Sequence, residues 1–248
     1  MVWLNWEHFF NIPGFFDAPL AWQSLPTILS GLPLSIILLA ICFVTSNVVG
    51  ILIMLMRISK YHFLSGIARF YISFFRGVPM LVVLFLTYFG LNMAALPAAI
   101  LSFTVVPSAF LAEYYRSALK GVSQTQYDSA KALGMSYRIM MTYIILPQAF
   151  RIVLPSLGNV LLDMFKSTSL AAMITVSEMF MKAKVVAGVN QDYMTIYIEI
   201  AIIYWIVCCV LSWGEQRVEN HLQLYVNEWS YLIMFSIMDQ LRKFDWIV

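Results

Sequence analysis

This sequence predicts an all-α membrane protein with five transmembrane helices, its N-terminus outside and its C-terminus cytoplasmic. Three observations predict it. Hydrophobic residues make up 61% of the chain and charged ones 11%. Residues 32–56 and 78–112 carry no charge at all, over 25 and 35 positions. Of the 15 Lys and Arg, 12 fall on one side of the crossings those runs define, which the positive-inside rule makes the cytoplasmic side.

Each crossing follows from the run lengths. Residues 32–56 suffice for one helix across a hydrocarbon core of about 30 Å and end at Arg57. Residues 78–112 are too long for one crossing of about 20 residues, and the Gly90-Leu-Asn-Met-Ala-Ala-Leu-Pro97 stretch supplies a turn that divides them. Residues 152–177 form a fourth crossing, interrupted in its middle. Residues 194–213 form a fifth, with Trp205 and Trp213 as interfacial anchors. The basic residues cluster at Arg57, Lys60, Arg69 and Arg76, then at Arg116, Lys120, Lys131, Arg138 and Arg151, and finally at Arg217, Arg242 and Lys243.

The flanks read differently. Residues 1–26 hold Trp3, Trp6, Phe9, Phe10, Phe15 and Phe16, a pattern for a segment at the membrane interface. The opening residues lack a basic run, so no cleaved leader is expected. In residues 223–248, Met234, Ile237, Met238, Leu241, Phe244 and Val248 recur at three or four residues, opposite Asp239, Gln240, Arg242 and Lys243. That stripe predicts an amphipathic cytoplasmic tail along the membrane surface or against a partner.

Several function classes are excluded. No G-x-x-x-x-G-K-[ST] loop exists, so the chain cannot cradle ATP itself. His8, His62 and His221 lie far apart, and Cys42, Cys208 and Cys209 sit in apolar spans without metal spacing. The chain is expected to be no enzyme, with no catalytic residue, no metal and no cofactor of its own. A net charge of +2 points away from nucleic acid, and the long apolar runs imply membrane lipid as a partner.

Polar residues inside the membrane are the binding candidates, because charge there is tolerated only against protein or water. Asn159, Asp163 and Lys166 share one helical face near the middle of the fourth crossing. Ser167, Thr168 and Ser169 follow, N-capping residue types that predict one helix ending and another beginning. Free N–H groups at such a break suit a substrate carboxylate. Ser108 and Glu113, on the third crossing with Pro107, are candidates for the same cavity. Two alternatives stay open: Asp163 and Lys166 pairing with each other, and Ser108 bonding its own backbone. Glu199, inside the fifth span, is as readily a partner for another helix as a ligand.

The loop 117–148 is unusually polar for this chain. Ser123 with Gln126 is a capping-box pattern, Gly134 fits a left-handed helix stop, and Ser136 fits a second cap. The loop therefore predicts a helix of about ten residues, or roughly 15 Å. It turns Asp128 and Lys131 outward and Ala130 and Leu133 toward a contact.

The spacing Asp128-Ser129-Ala130, three residues, Gly134, nine residues, Ile144-x-Leu146-Pro147 resembles the signature loop of ABC importer permeases, whose triplet is Glu-Ala-Ala. Phe75-Arg76-Gly77-Val78-Pro79-Met80-Leu81 resembles the Phe-Arg-Gly-Thr-Pro-Leu-Leu segment of permeases for polar amino acids. Phe165-Lys166-Ser167-Thr168-Ser169-Leu170 is similar to their Lys-Asp-Thr-Ser-Leu segment, and Pro147-Gln148-Ala149-Phe150-Arg151 with Leu154-Pro155 also fits. The resemblance covers residues 27–222. It implies the type I ABC importer permease architecture and a permease domain over 27–222. The implied partners are ATP-binding cassette ATPase subunits carrying ATP and Mg, a second permease copy or paralogue, an extracytoplasmic substrate-binding protein and an amino-acid substrate. Asp128, Ser129, Ala130, Lys131, Leu133 and Gly134 are the implied ATPase-coupling residues. Ser167 stands where the family's acid usually lies, which favours a zwitterion such as cystine or glutamine over arginine. The competing expectation is an ATP-independent secondary transporter or channel subunit, which has no need of a capped docking helix.

Overall fold

A computed structural model describes residues 16–242, with side chains to His221, and every regular element in this range is helical. Helix α1 (Ala18–Leu29) opens where Asp17 accepts the Leu20 amide at 3.0 Å. Helix α2 (Leu32–Ile58) has 27 residues, about 40 Å at 1.5 Å per residue. Helix α3 (His62–Gly77) turns back against α2. Helix α4 (Met80–Phe85) continues as a π segment, Leu86–Gly90.

The two pieces 62–77 and 80–90 meet at a bend of 103°. The cause lies in the sequence: Pro79 offers no N–H and drives the preceding residue out of the helical region, and Val78 stands at φ −101°, ψ 131°. Helix α5 (Ala95–Gly121) follows a turn in which Asn92 takes φ 50°. The 78–112 run therefore divides between Gly90 and Ala95, inside the expected turn.

Four described helical stretches are long and apolar enough to cross a membrane: Leu32–Ile58, Ala95–Gly121, Tyr137–Ile174 and Tyr193–His221. The bent pair, counted as one broken span, brings the number to the expected five. Residues 62–77, with Arg69 and Arg76, form a helix ahead of the second apolar run. The small-residue pair Ser46 and Gly50 has a contact within the chain. A Cβ on Gly50 would lie 2.8 Å from Leu111 Cβ and 3.2 Å from the Ser108 carbonyl, so α2 and α5 approach closely there.

Two compact units divide the chain: residues up to Glu113 with Asn159–Val210, and Tyr114–Gly158 with the residues from Leu211 onward. The second holds α6 (Gln124–Ala132) and α7 (Tyr137–Met140), whose π segment Met141–Ile145 leads into α8 (Leu146–Ser167). Its core is built from Ala118, Val122, Ala130, Met140, Ile145, Ala149 and Val153. After α8 come a 3-10 segment (Thr168–Ile174), α9 (Met179–Asn190) and α10 (Tyr193–Arg242).

The expected domain divisions fall within helices: 26/27 inside α1, which Asp17 and a proline in its first turn start earlier, and 222/223 inside α10, which continues to Arg242. Residues 1–15 and 243–248, with the aromatics and tail positions expected there, lie outside the described residues.

Candidate functional site

The first candidate site is a groove in the first unit. Residues Lys166, Ser169, Phe180, Tyr197, Ile200, Ala201 and Tyr204 line about 380 Å³. Its walls are aromatic and ordered: Phe180 and Tyr197 stack at 5.9 Å, and Tyr204 rests against Phe165 at 5.2 Å. The cation at its edge is Lys166, whose ammonium lies 2.8 Å from the Asp163 carboxylate with both side chains more than half exposed. Asn159 is also exposed, one helical turn before Asp163. A cation beside an uncharged, aromatic-walled groove suits a ligand that offers one carboxylate and a remainder without net charge.

Two of the expected binding residues, Lys166 and Ser169, therefore meet at this groove. The predicted break at Ser167–Ser169 takes another form. The α-helix tightens into a 3-10 segment there, so the chain keeps using its amides internally. The hydroxyls turn to the nearest carbonyls: Ser167 donates to Asp163 at 2.8 Å, Thr168 to Phe165 at 2.7 Å and Ser169 to Lys166 at 2.8 Å. No cap geometry forms at these three residues, and the next helix N-terminus is at Met179. Ser108 is fully buried, within 2.7 Å of the Tyr71 hydroxyl and donating to the Val105 carbonyl at 2.8 Å. Glu113 lies 3.9 Å from Arg57, joining α5 to α2. Glu199 has its partner on α1, accepting the Ser24 hydroxyl.

One carboxylate escaped the sequence reading. Glu178 is completely buried and caps α9, accepting the Phe180 amide at 2.9 Å and the Met181 amide at 2.7 Å. Ser35 on α2 and Tyr204 on α10 each donate to it at 3.3 Å. Burial pushes its pKa above the usual carboxylate range, against the pull of these four hydrogen bonds. The available signal was its position, an acid just past an apolar crossing and ahead of a helical stretch.

The second candidate site is the loop. Ser123 caps α6, accepting the Thr125 amide at 3.3 Å. Gln126 does not close the reciprocal box, because its side chain accepts from Gln148 at 3.3 Å. Gly134 stands at φ 70°. Its amide donates to the Lys131 carbonyl at 2.9 Å and the Met135 amide to that of Ala130 at 3.1 Å, the paired bonds of a Schellman stop. Ser136 caps α7 through the Ile139 amide at 3.5 Å. Asp128, Ser129 and Lys131 face solvent. Ala130 and Leu133, expected to share a contact, separate: Ala130 is buried in the loop's own core, whereas Leu133 is 56% exposed. A helix of nine residues ending beyond the Ala130 turn points them in different directions. Tyr137, Ile139 and Tyr143 are exposed nearby in sequence, leaving a loop surface with several uncovered apolar side chains.

Comparison with known proteins adds a family. Residues 46–223 match the family described as the binding-protein-dependent transport system inner membrane component. The chain is 41% identical over 228 residues to the probable amino-acid ABC transporter permease protein YckA of Bacillus subtilis (strain 168), covering 90% of this chain and 98% of that one. It is 35% identical over 207 residues to the L-cystine transport system permease protein TcyB of the same organism, covering 81% and 88%. Among solved structures, the crystal structure of an amino acid ABC transporter with histidines matches with a TM-score of 0.78 at 30% identity, covering 83% of this chain and 98% of that one.

Proposed function

The chain belongs to the family of binding-protein-dependent transport system inner membrane components, and from that premise we propose that it imports a polar amino acid across a bacterial cytoplasmic membrane. It forms the pathway and leaves ATP hydrolysis, with Mg, to separate ATPase subunits. A second permease copy or paralogue completes the pathway, and an extracytoplasmic binding protein delivers substrate. The distribution of basic residues supports an outside N-terminus and a cytoplasmic loop.

The observation that carries this reading is the loop. A short helix is capped at both ends, closed by a left-handed Gly134, and leaves Leu133, Asp128 and Lys131 exposed. A rigid loop with an uncovered apolar side chain suits docking onto another protein and transmits its movement as a body. Asp128 to Gly134 are then the ATPase contact, with Ala130 holding the helix to the chain's own core.

Substrate selection follows from the groove. Lys166 offers the charge for a carboxylate, Asp163, its ion-pair partner, is the acid assigned to an ammonium, and Ser169 adds a polar group to the lining, whereas Ser108 and Glu113 have their partners elsewhere. The aromatic walls and the uncharged Ser167 favour a zwitterion such as cystine or glutamine. Cross-linking tests the docking: a single cysteine at Leu133 in the assembled complex should capture the ATPase. Capture of lipid alone would remove the reading. An uptake screen of amino acids tests selectivity, and strict preference for lysine or arginine would reverse it.

A further inference from the structure

Phe180 and Tyr204 both line the groove but belong to different helices, α9 and α10. One oxygen, Oε2 of Glu178, binds both: it accepts the Phe180 amide at 2.9 Å and the Tyr204 phenol at 3.3 Å. The carboxylate itself lines nothing, since it is fully buried and absent from the groove surface.

Glu178 is in turn held from the other direction. Ser35 on α2 donates to Oε2 and accepts the Met179 amide at 3.2 Å. A Cβ on Gly31 would stand 2.6 Å from the Met179 backbone, so the first turn of α9 is pressed onto the α1–α2 connection with no slack. The α9 wall is thereby fixed to α1 and α2. The α10 wall reaches that frame through the Tyr204 hydrogen bond, beside the Glu199–Ser24 bond to α1 and the Phe180–Tyr197 stack. A buried carboxylate that loses a donor, or a donor that loses the carboxylate, costs more than an exposed pair does, so this arrangement resists small changes in groove width.

We propose that Glu178 is a positioning residue for amino-acid recognition, setting the separation of the groove walls through Phe180 and Tyr204. This rests on the reading that the groove takes the substrate. A helix cap with no such role would affect folding and assembly but leave the affinity of correctly assembled complexes unchanged.

The test uses the complete transporter in proteoliposomes, with L-glutamine and L-cystine as probes. It measures uptake KM, maximal rate, complex yield and ATPase activity without substrate. Glu178→Gln keeps the volume but replaces one acceptor oxygen with a donor, and should raise KM about tenfold. Ser35→Ala lies outside the groove and removes one support of Glu178 together with the acceptor of the Met179 amide, so it should raise KM about threefold. Tyr204→Phe, which deletes only the hydroxyl, should match Glu178→Gln in KM, and combining the two should add little because they break the same link. If Glu178→Gln fails to assemble, the Ser35→Ala and Tyr204→Phe values decide. Unchanged KM in both, with or without lost yield, overturns the proposal. Absence of ATP-dependent uptake of either probe by the unmodified transporter would instead count against the substrate reading on which it rests.

Discussion

Replacing Gly134 should damage the transporter through backbone shape, with charge playing little part. The residue sits at φ 70°, a conformation that costs an ordinary L-residue about 1–2 kcal/mol. No heavy atom lies within 4 Å of a Cβ built there, so collision adds nothing and the whole penalty is conformational. Gly134→Asn should be mildest, since Asn tolerates the left-handed region. Gly134→Ala should cost about 1 kcal/mol and Gly134→Val about 2–3 kcal/mol. A penalty of about 2 kcal/mol lowers the population of the closed cap roughly 30-fold and releases the Gly134–Lys131 and Met135–Ala130 bonds. Lys131→Ala keeps the backbone carbonyl that the cap uses and removes only an exposed side chain, so it should have a smaller effect. Gly66, in α3 with open space around it, is the control: Gly66→Ala carries no left-handed penalty and should not impair function. Substrate-stimulated ATPase and uptake, normalised to assembled complex, give the order Asn, Ala, Val. Equal activity in Gly134→Val and Lys131→Ala would refute the assignment of the cap.

Other consequences are direct. Leu133→Asp should abolish ATPase co-purification while leaving the permease's own thermal stability within about 0.5 kcal/mol, because the side chain is 56% exposed and supports no core; loss of both together would show that Leu133 packs internally. Gly31→Ala must move the α9 backbone, which a Cβ would approach to 2.6 Å, and should lower stability by about 3 kcal/mol, read as lost yield and thermal tolerance. Lys166→Met should raise uptake KM about tenfold, whereas the exposed Asp163–Lys166 pair contributes about 1 kcal/mol or less to stability. Unchanged KM with poorer assembly would make that pair a structural staple. Truncation after Leu224 should lower complex yield while each surviving complex transports normally; slower transport per complex would place the tail in the mechanism.

The sequence exposed those parts of the fold that depend on nearby residues. Gly134 takes the left-handed conformation because only its immediate neighbours matter to a helix stop, and the turn after Gly90 follows from a run too long for one crossing. Helix α3 was hidden because its charges resemble a loop, although Pro79 at its end marks the bend. The site was harder to read. Ser167–Ser169 look like capping residues, but whether they cap depends on whether the helix ends, and here it tightens instead. Glu178 acquires its meaning from Ser35 and Tyr204, which lie 143 and 26 residues away in the chain. No local pattern records such a meeting. The groove itself joins residues from α8 through α10, which only the folded chain brings together.

The most direct measurement is uptake by the complex assembled from this chain, its ATPase and its binding protein, with ATP supplied or withheld inside proteoliposomes. Amino-acid accumulation against a gradient should require ATP and stop when it is withheld. Accumulation driven equally well by an ion gradient without ATP would contradict the account.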